Sequence, residues 1–222
     1  MSVTVVIPAK NEARTVAELI ARARPYADEI IVMDGHSTDD TRRVAAERGA
    51  RVELDGGSGK GEAIRRGIDL AAGEIIVLID SDGSHDPDDI PRLVEPVRAG
   101  RADLVVGCRL MGGSDELHGT PDTYVRFVGS MMITLAINYR WNVRLGDVEN
   151  GFRAIRRTVA RAIGLRANVS TIEQEMVMKC LKGGYRVTNV AAHEYARRFG
   201  RSHIRLWRMW PAFVWSLLWN LR

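Results

Sequence analysis

Cysteine is scarce. Only Cys108 and Cys180 occur in 222 residues, far apart and without metal-ligand spacing. This excludes a disulfide-dense scaffold and a cysteine zinc site, and points to reduced core thiols of a cytosolic protein. Long apolar runs are missing too. The uncharged stretch 127–139 falls short of the roughly 20 residues that cross a bilayer. No signal-peptide pattern precedes the strand-like start at Val3. There is no internal repeat, low-complexity tract or linker, so the expectation is one α/β unit. Nor is there a large excess of one charge: Lys and Arg number 32 against 28 Asp and Glu. A uniformly basic nucleic-acid surface is therefore not expected. The charges separate instead, with carboxylates crowding 80–89 and Arg197, Arg198, Arg201, Arg205 and Arg208 crowding the end. That separation implies one site for a metal and another for anions.

The chain's first half alternates. Strands are expected at 3–7, 29–34, 51–54, 74–80 and 102–107, and helices at 12–24, 39–48, 62–72 and 88–98. Unbroken β-branched runs between amphipathic helices predict a mostly parallel sheet covered on both faces. Ligands of such sheets bind beyond the carboxyl ends of the strands. Three polar clusters fall there: Ala9-Lys10-Asn11-Glu12, Asp34-Gly35-His36-Ser37 and Asp80-Ser81-Asp82. After residue 107 the alternation fades into a loop (111–122), a long helix (124–141), a turn (146–151), a helix (171–182) and a strand (185–190).

Asp80 and Asp82, at i and i+2 of an extended segment, are expected to face one hard cation such as Mg²⁺ or Mn²⁺, whose shell substrate phosphates would complete. Asp86-Pro87-Asp88-Asp89 reads mainly as a helix cap. The stretch from Gly56 to Gly61 lacks the first glycine and the hydroxyl residue of a P-loop. It reads either as a mobile turn or as a loop over a nucleotide, with Lys60 near base or phosphate.

Together, Val5-Val6-Ile7-Pro8-Ala9-Lys10-Asn11-Glu12, Ile31-Val32-Met33-Asp34-Gly35-His36-Ser37-Thr38-Asp39, Gly59-Lys60-Gly61 and Asp80-Ser81-Asp82-Gly83-Ser84-His85 resemble family 2 glycosyltransferases. Leu104–Cys108 with Arg109, the Asp147-Val148-Glu149-Asn150-Gly151-Phe152-Arg153 turn, Glu173-Gln174-Glu175-Met176 and the run from Arg197 to His203 resemble the polyprenyl-phosphate branch, which includes the dolichyl-phosphate mannose and glucose synthases. The resemblance implies a GT-A fold, a nucleoside-diphosphate sugar donor (GDP- or UDP-linked), a divalent metal and inversion at the anomeric carbon. It places Pro8, Ala9, Asn11, Glu12 and Asp34 at the nucleotide, and Asp80, Ser81 and Asp82 at ribose, metal and diphosphate. Ser84 stands where the family often has a metal-reaching Gln. Arg109, Arg126, Arg198 and Ser202 would face the acceptor phosphate or the diphosphate. Gly35 replaces a second acid of the family pattern, and His203 a common Lys.

A phosphate acceptor is already an anion and needs no dedicated base, whereas a hydroxyl acceptor calls for a carboxylate. Asp147, Glu149, Glu173 and Glu175 are available. Four of the five tryptophans fall in the last sixteen residues, behind the arginines. The division is therefore a catalytic unit 1–205 and an aromatic segment 206–222, suited to a membrane interface. The alternatives for that segment are a helix packed on the core and one buried in a homodimer. The expected enzyme is cytoplasmic, peripheral on the inner face of a membrane, moving a hexose to a polyprenyl phosphate. The rivals are a same-fold transferase for a saccharide or small soluble acceptor, a sugar nucleotidyltransferase, and a non-catalytic binding protein.

Overall fold

Alternate residues of the first strand serve two cores. The computed structural model describes residues 1–115, 121–197 and 206–221. β1 (Val3–Ala9) pairs in parallel with β2 (Glu29–Asp34), and β3 (Arg51–Leu54) follows beyond it. On its other side lies parallel β4 (Ile75–Leu78). β5 (Leu104–Cys108), β6 (Arg153–Arg156) and β7 (Val187–Ala191) complete a sheet of order β3-β2-β1-β4-β6-β5-β7. β6 runs antiparallel to both β4 and β5, while β5 and β7 are parallel.

The helices in chain order are α1 (Val16–Ala23), α2 (Thr41–Glu47), α3 (Lys60–Leu70), α4 (Ile90–Arg98), the single turn α5 (Arg109–Gly112), α6 (Pro121–Trp141), α7 (Arg157–Ala162), α8 (Ile172–Lys182) and α9 (Leu206–Leu221). Val3, Val5 and Ile7 face α1 and α4, where Leu19, Ile20, Leu93 and Val97 meet them. Val6, Ile31, Met33 and Leu78 face the opposite layer, built from Ile64 and Ile68 of α3, Met176 and Val177 of α8, and Ile133 and Ile137 of α6. Phe213, Leu217 and Leu221 of α9 pack against that second core.

Besides shifted bounds and the unexpected α5 and α7, two elements depart from the sequence pattern in ways that have a clear physical cause. β6 carries two arginines in four residues, so it has no apolar run to announce it. Arg153 is nonetheless 1% exposed, because its guanidinium donates to the backbone carbonyls of Asn150, Val148 and Glu173. The first helix begins at Val16 rather than 12. Asn11 takes a positive φ of 56°, and the Glu12 N–H donates to Thr41 Oγ1 at 2.8 Å, so the chain crosses the sheet's end before it coils. The Asp86 carboxylate does cap the next turn, accepting from the Asp88 N–H at 2.9 Å.

Candidate active site

The carboxyl ends of β1, β2 and β4 open into one cavity of about 700 Å³. Ser81 Oγ donates to the Pro8 carbonyl at 2.8 Å and so laces the end of β4 to β1. Asp80 and Asp82 both line the cavity, but in different ion pairs. Asp80 Oδ1 lies 2.7 Å from Lys60 Nζ, which also pairs with Glu173 Oε1 at 2.8 Å. Burial pushes the Asp80 carboxyl up; Lys60, with His85 and Arg153, outweighs it and leaves the pKa below the usual value. The other Asp80 oxygen faces the backbone of Gly151, where an added Cβ would sit 2.5 Å away. Only glycine admits this approach. Asp82 Oδ1 accepts the Ser84 hydroxyl at 2.6 Å, while Oδ2 accepts Arg197 Nε at 3.1 Å. Arg197 also reaches Glu12 Oε1 at 3.4 Å.

The glycine-rich loop is held by carboxylates on both sides. Glu62 accepts the N–H groups of Gly56 and Ser58 at 2.9 and 3.2 Å, and Asp55 accepts that of Gly57. Gly57, Gly59 and Lys60 form part of the cavity wall, as do Pro8, Ala9, Glu12 and Gly35. Asn11 is not among the lining residues. Its side-chain Oδ1 accepts the Thr38 N–H at 2.8 Å and its backbone N–H donates to Ser37 Oγ, so it ties β1's end to β2's. Asp34, fully buried, accepts the Ser37 N–H on Oδ2, and its Oδ1 has no partner.

The candidate bases fall into different environments. Asp147 is clamped by Arg109, Nε to Oδ2 at 2.6 Å and Nη2 to Oδ1 at 3.0 Å. Burial pushes its carboxyl up, but the guanidinium outweighs this and holds it below the usual range, which makes it a poor proton acceptor. Arg109 lines the cavity with its charge shared between Asp147 and Glu194, the latter at 3.6 Å. Glu149, two residues on, has a buried Oε1 without a partner. Burial first, then the charge of Glu173, pushes its carboxyl up to about 8. Glu175 is not at the cavity: its oxygens accept the N–H groups of Arg166 and Ala167, and Lys179 pairs with it at 2.8 Å. It organises the loop before α8. Arg198 and Ser202 lie outside the described residues, as does the side chain of Arg126 on α6.

The far wall is apolar, made of Val125, Phe127 and Ile133 of α6 and Trp210 and Phe213 of α9. Gly129 lets the helices approach, since a Cβ there would lie 3.0 Å from the Trp210 ring. Two further lining residues were not among the expected site residues. Glu194 reaches the site through isolated bridges to His85 and Ser114, a long-range pairing no local pattern reveals. His85 is buried against Phe152, with ring centroids 5.3 Å apart, and its Nδ1 has no partner.

Residues 4–164 match the model of Glycosyl transferase family 2. The chain belongs to this family. It is similar to glycosyltransferase AglJ of Haloferax volcanii, 31% identical over 204 residues, covering 90% of this chain and 65% of that relative's length. It is likewise similar to the undecaprenyl-phosphate mannosyltransferase of Micrococcus luteus, 31% identical over 220 residues, covering 91% and 87%. Among solved structures, glucosyl-3-phosphoglycerate synthase from Mycobacterium tuberculosis, in complex with Mn²⁺, UDP and phosphoglyceric acid, superposes with a TM-score of 0.79 at 27% identity, covering 99% and 78%. The GT-A fold expected of a family 2 glycosyltransferase is thus the fold observed.

The Mn²⁺ of that neighbour raises the question of what this family member's donors can hold. Among the described residues no group of three or more His, Cys, Asp or Glu side chains stands ready for an ion. Asp82 and Ser84 line the cavity together, with Asp82 Oδ1 accepting from Ser84 and Oδ2 held by Arg197, so an ion there would take the place of the Arg197 contact. Mg²⁺ and Mn²⁺ bind through one or two carboxylates when phosphates supply the rest. The donor set therefore fits a hard ion that arrives with a diphosphate, and does not fit one held by protein alone.

Proposed function

We propose that this glycosyltransferase moves a hexose from a GDP- or UDP-linked donor to a polyprenyl phosphate, with inversion, while resting on the inner face of a membrane. The carrying observation is that one cavity joins the carboxylates ending β4 to the apolar wall of α6 and α9. Beyond that wall Tyr124, Met132, Leu135 and Tyr139 of α6 and Trp215, Leu218 and Trp219 of α9 are exposed. A surface of this kind suits an acyl boundary, with indoles at headgroup depth. No described helix is long and apolar enough to span a bilayer, so the reading is of a protein lying on one. The likeness to the undecaprenyl-phosphate enzyme supports it.

The donor's nucleotide would lie against Pro8, Ala9 and Glu12, with the unpaired Asp34 Oδ1 behind them. Asp82 with Ser84 would hold a divalent ion, which when bound supplies charge neutralisation to the leaving diphosphate. Arg197, at 3.1 Å from Asp82, would turn from that carboxylate to the diphosphate. Such preorganised cations account for much of the rate in reactions that expel an anion. Arg109 and Arg126, with Arg198 and Ser202, would receive the acceptor phosphate. A phosphate nucleophile needs no proton removed, consistent with Asp147 being locked to Arg109 rather than poised as a base.

A soluble phosphorylated acceptor is the second reading, favoured by the likeness to an enzyme crystallised with phosphoglyceric acid. Incubation of UDP-glucose and GDP-mannose with a short polyprenyl phosphate or with 3-phosphoglycerate, read by mass, separates the two. The expected outcome is a hexosylated lipid phosphate and no product from 3-phosphoglycerate. The reverse outcome overturns the lipid reading.

A further inference from the structure

Glu175, in the first turn of α8, is buried and turns both carboxylate oxygens to backbone. Oε1 accepts the Arg166 N–H at 3.0 Å, and Oε2 the Ala167 N–H at 2.8 Å. Lys179, one helical turn on, pairs with Oε1 and also donates to the Gly164 carbonyl. The loop before α8 is thereby held from one side, and on its other side it meets the glycine-rich loop. The Asn168 carbonyl accepts the Gly61 N–H at 2.8 Å and the Glu62 N–H at 3.4 Å. Its side chain accepts from Arg65. The two loops touch backbone to backbone. A Cβ added at Gly59 would lie 2.8 Å from the Asn168 carbonyl oxygen, and one at Gly61 2.4 Å from that of Ala167. Both glycines are needed for this approach.

Lys60 stands between those glycines, so the same contact fixes its backbone. Its ammonium lines the cavity between Asp80 and Glu173, at 2.7 and 2.8 Å. A lysine is a point charge on a flexible four-carbon stem, and its reach is set by where its backbone is pinned. Hydrogen bonds weaken steeply once distance or angle departs from the favoured range, so a small shift of the turn matters to any ligand the ammonium meets. Neither Arg166 nor Ala167, the residues whose N–H groups Glu175 holds, lines the cavity.

We infer that Glu175 is a positioning residue for the donor: through the backbone of the loop before α8 it sets where the Gly59-Lys60-Gly61 turn, and with it the Lys60 ammonium, stands in the cavity. The inference rests on the nucleotide-sugar reading, in which Lys60 meets the nucleotide or its phosphates, and adds a residue outside the cavity that governs that contact. Glu175→Gln keeps the side chain's size and one accepting oxygen. It replaces the other oxygen with an NH₂ group that cannot accept, so one of the two loop N–H groups loses its partner, and Lys179 loses its counter-charge.

The test is a double-mutant cycle on nucleotide affinity, so it does not depend on the acceptor. Calorimetry with Mg²⁺ present measures UDP and GDP binding to the wild type, Glu175→Gln, Lys60→Gln and the double variant. Glu175→Gln is expected to bind at least about tenfold more weakly, what one hydrogen bond to a charged group is worth. Lys60→Gln should show a loss of similar size. The double variant should fall below Lys60→Gln by less than about twofold, because Glu175 acts through the lysine it places. A residue that only supports the fold would subtract its own loss again. In the wild type, bound nucleotide should also slow hydrogen exchange at the Arg166 and Ala167 amides by at least about tenfold, although neither residue touches it. Should Glu175→Gln fail to fold, this exchange measurement decides alone. Additive losses, wild-type affinity in Glu175→Gln, or exchange that nucleotide leaves unchanged overturns the positioning role and leaves the nucleotide-sugar reading standing. A wild type that binds neither UDP nor GDP overturns that reading and this inference with it.

Discussion

Glu149 bears a carboxyl pushed up to about 8 from 4.5, and that shift has a sign. The folded state holds this proton more tightly than the unfolded chain does. Its contribution to stability is therefore fully present below pH 4.5, declines as the pH rises, and is gone once the pH has passed about 8. Glu149→Gln has no such proton to lose. Its melting temperature should fall less than the wild type's between pH 5 and 8, and at pH 8 should exceed it by at least the roughly 2–4 °C that one kcal/mol is worth in a domain of this size. Scanning calorimetry of both proteins at the two pH values checks this, and parallel slopes would contradict it. At this scale the sequence was half legible. The acids of the turn from Asp147 could be listed from the chain as site candidates. Which one is clamped by Arg109 and which is left unpaired depends on α5 and α8 meeting the turn, and no local pattern carries that. Glu175 shows the same limit: it counted among the available carboxylates, yet its carboxylate serves two backbone N–H groups of the preceding loop.

Most elements of the first half were readable because they bury a continuous apolar set, although β3 has none of its four residues buried. α1 is the simple case, with Val16, Leu19, Ile20 and Ala23 buried at helical spacing. β6 was not readable, since half of its residues are arginines and its identity comes from being clasped between β4 and β5. α9 bears out the expectation of a helix packed on the core, and its outer side is exposed. Phe213, Leu217 and Leu221 pack on the core, and Gln174 Nε2 donates to the Phe213 carbonyl at 2.9 Å. The opposite side offers Trp215 and Trp219, 66% and 55% exposed and stacked on each other. Pro211 lies inside this helix, which begins five residues earlier. Truncation of α9 would therefore confound folding with membrane binding, but substitution of its outer face would not. Trp215→Ser with Trp219→Ser should keep the wild-type melting temperature and lower co-sedimentation with anionic vesicles by at least about tenfold. Two part-buried indoles are worth well over the roughly 1.4 kcal/mol that factor requires. Unchanged sedimentation would remove α9 from the membrane contact.

Across the whole molecule, function follows from where the sheet's parallel half ends. β1, β2 and β4 deliver Glu12, Asp34 and Asp80–Asp82 to one edge, as their order in the chain implied. The long-range returns of β6 and β7 then bring Glu149, Glu173 and Glu194 to the same edge from the other half. α6 and α9 close the cavity with an apolar wall and expose large apolar side chains beyond it. Joining a nucleotide-sugar site to a lipid surface is the centre of this account, and one measurement addresses it directly. Vesicles carrying a polyprenyl phosphate are incubated with the full chain, donor and Mg²⁺ or Mn²⁺, and the extracted lipid is weighed by mass spectrometry. The account predicts lipid phosphate heavier by one hexose, lost when EDTA is added and lost in Asp82→Asn. Product that forms undiminished in EDTA, or unmodified vesicle lipid beside a glycosylated soluble phosphate, would contradict it.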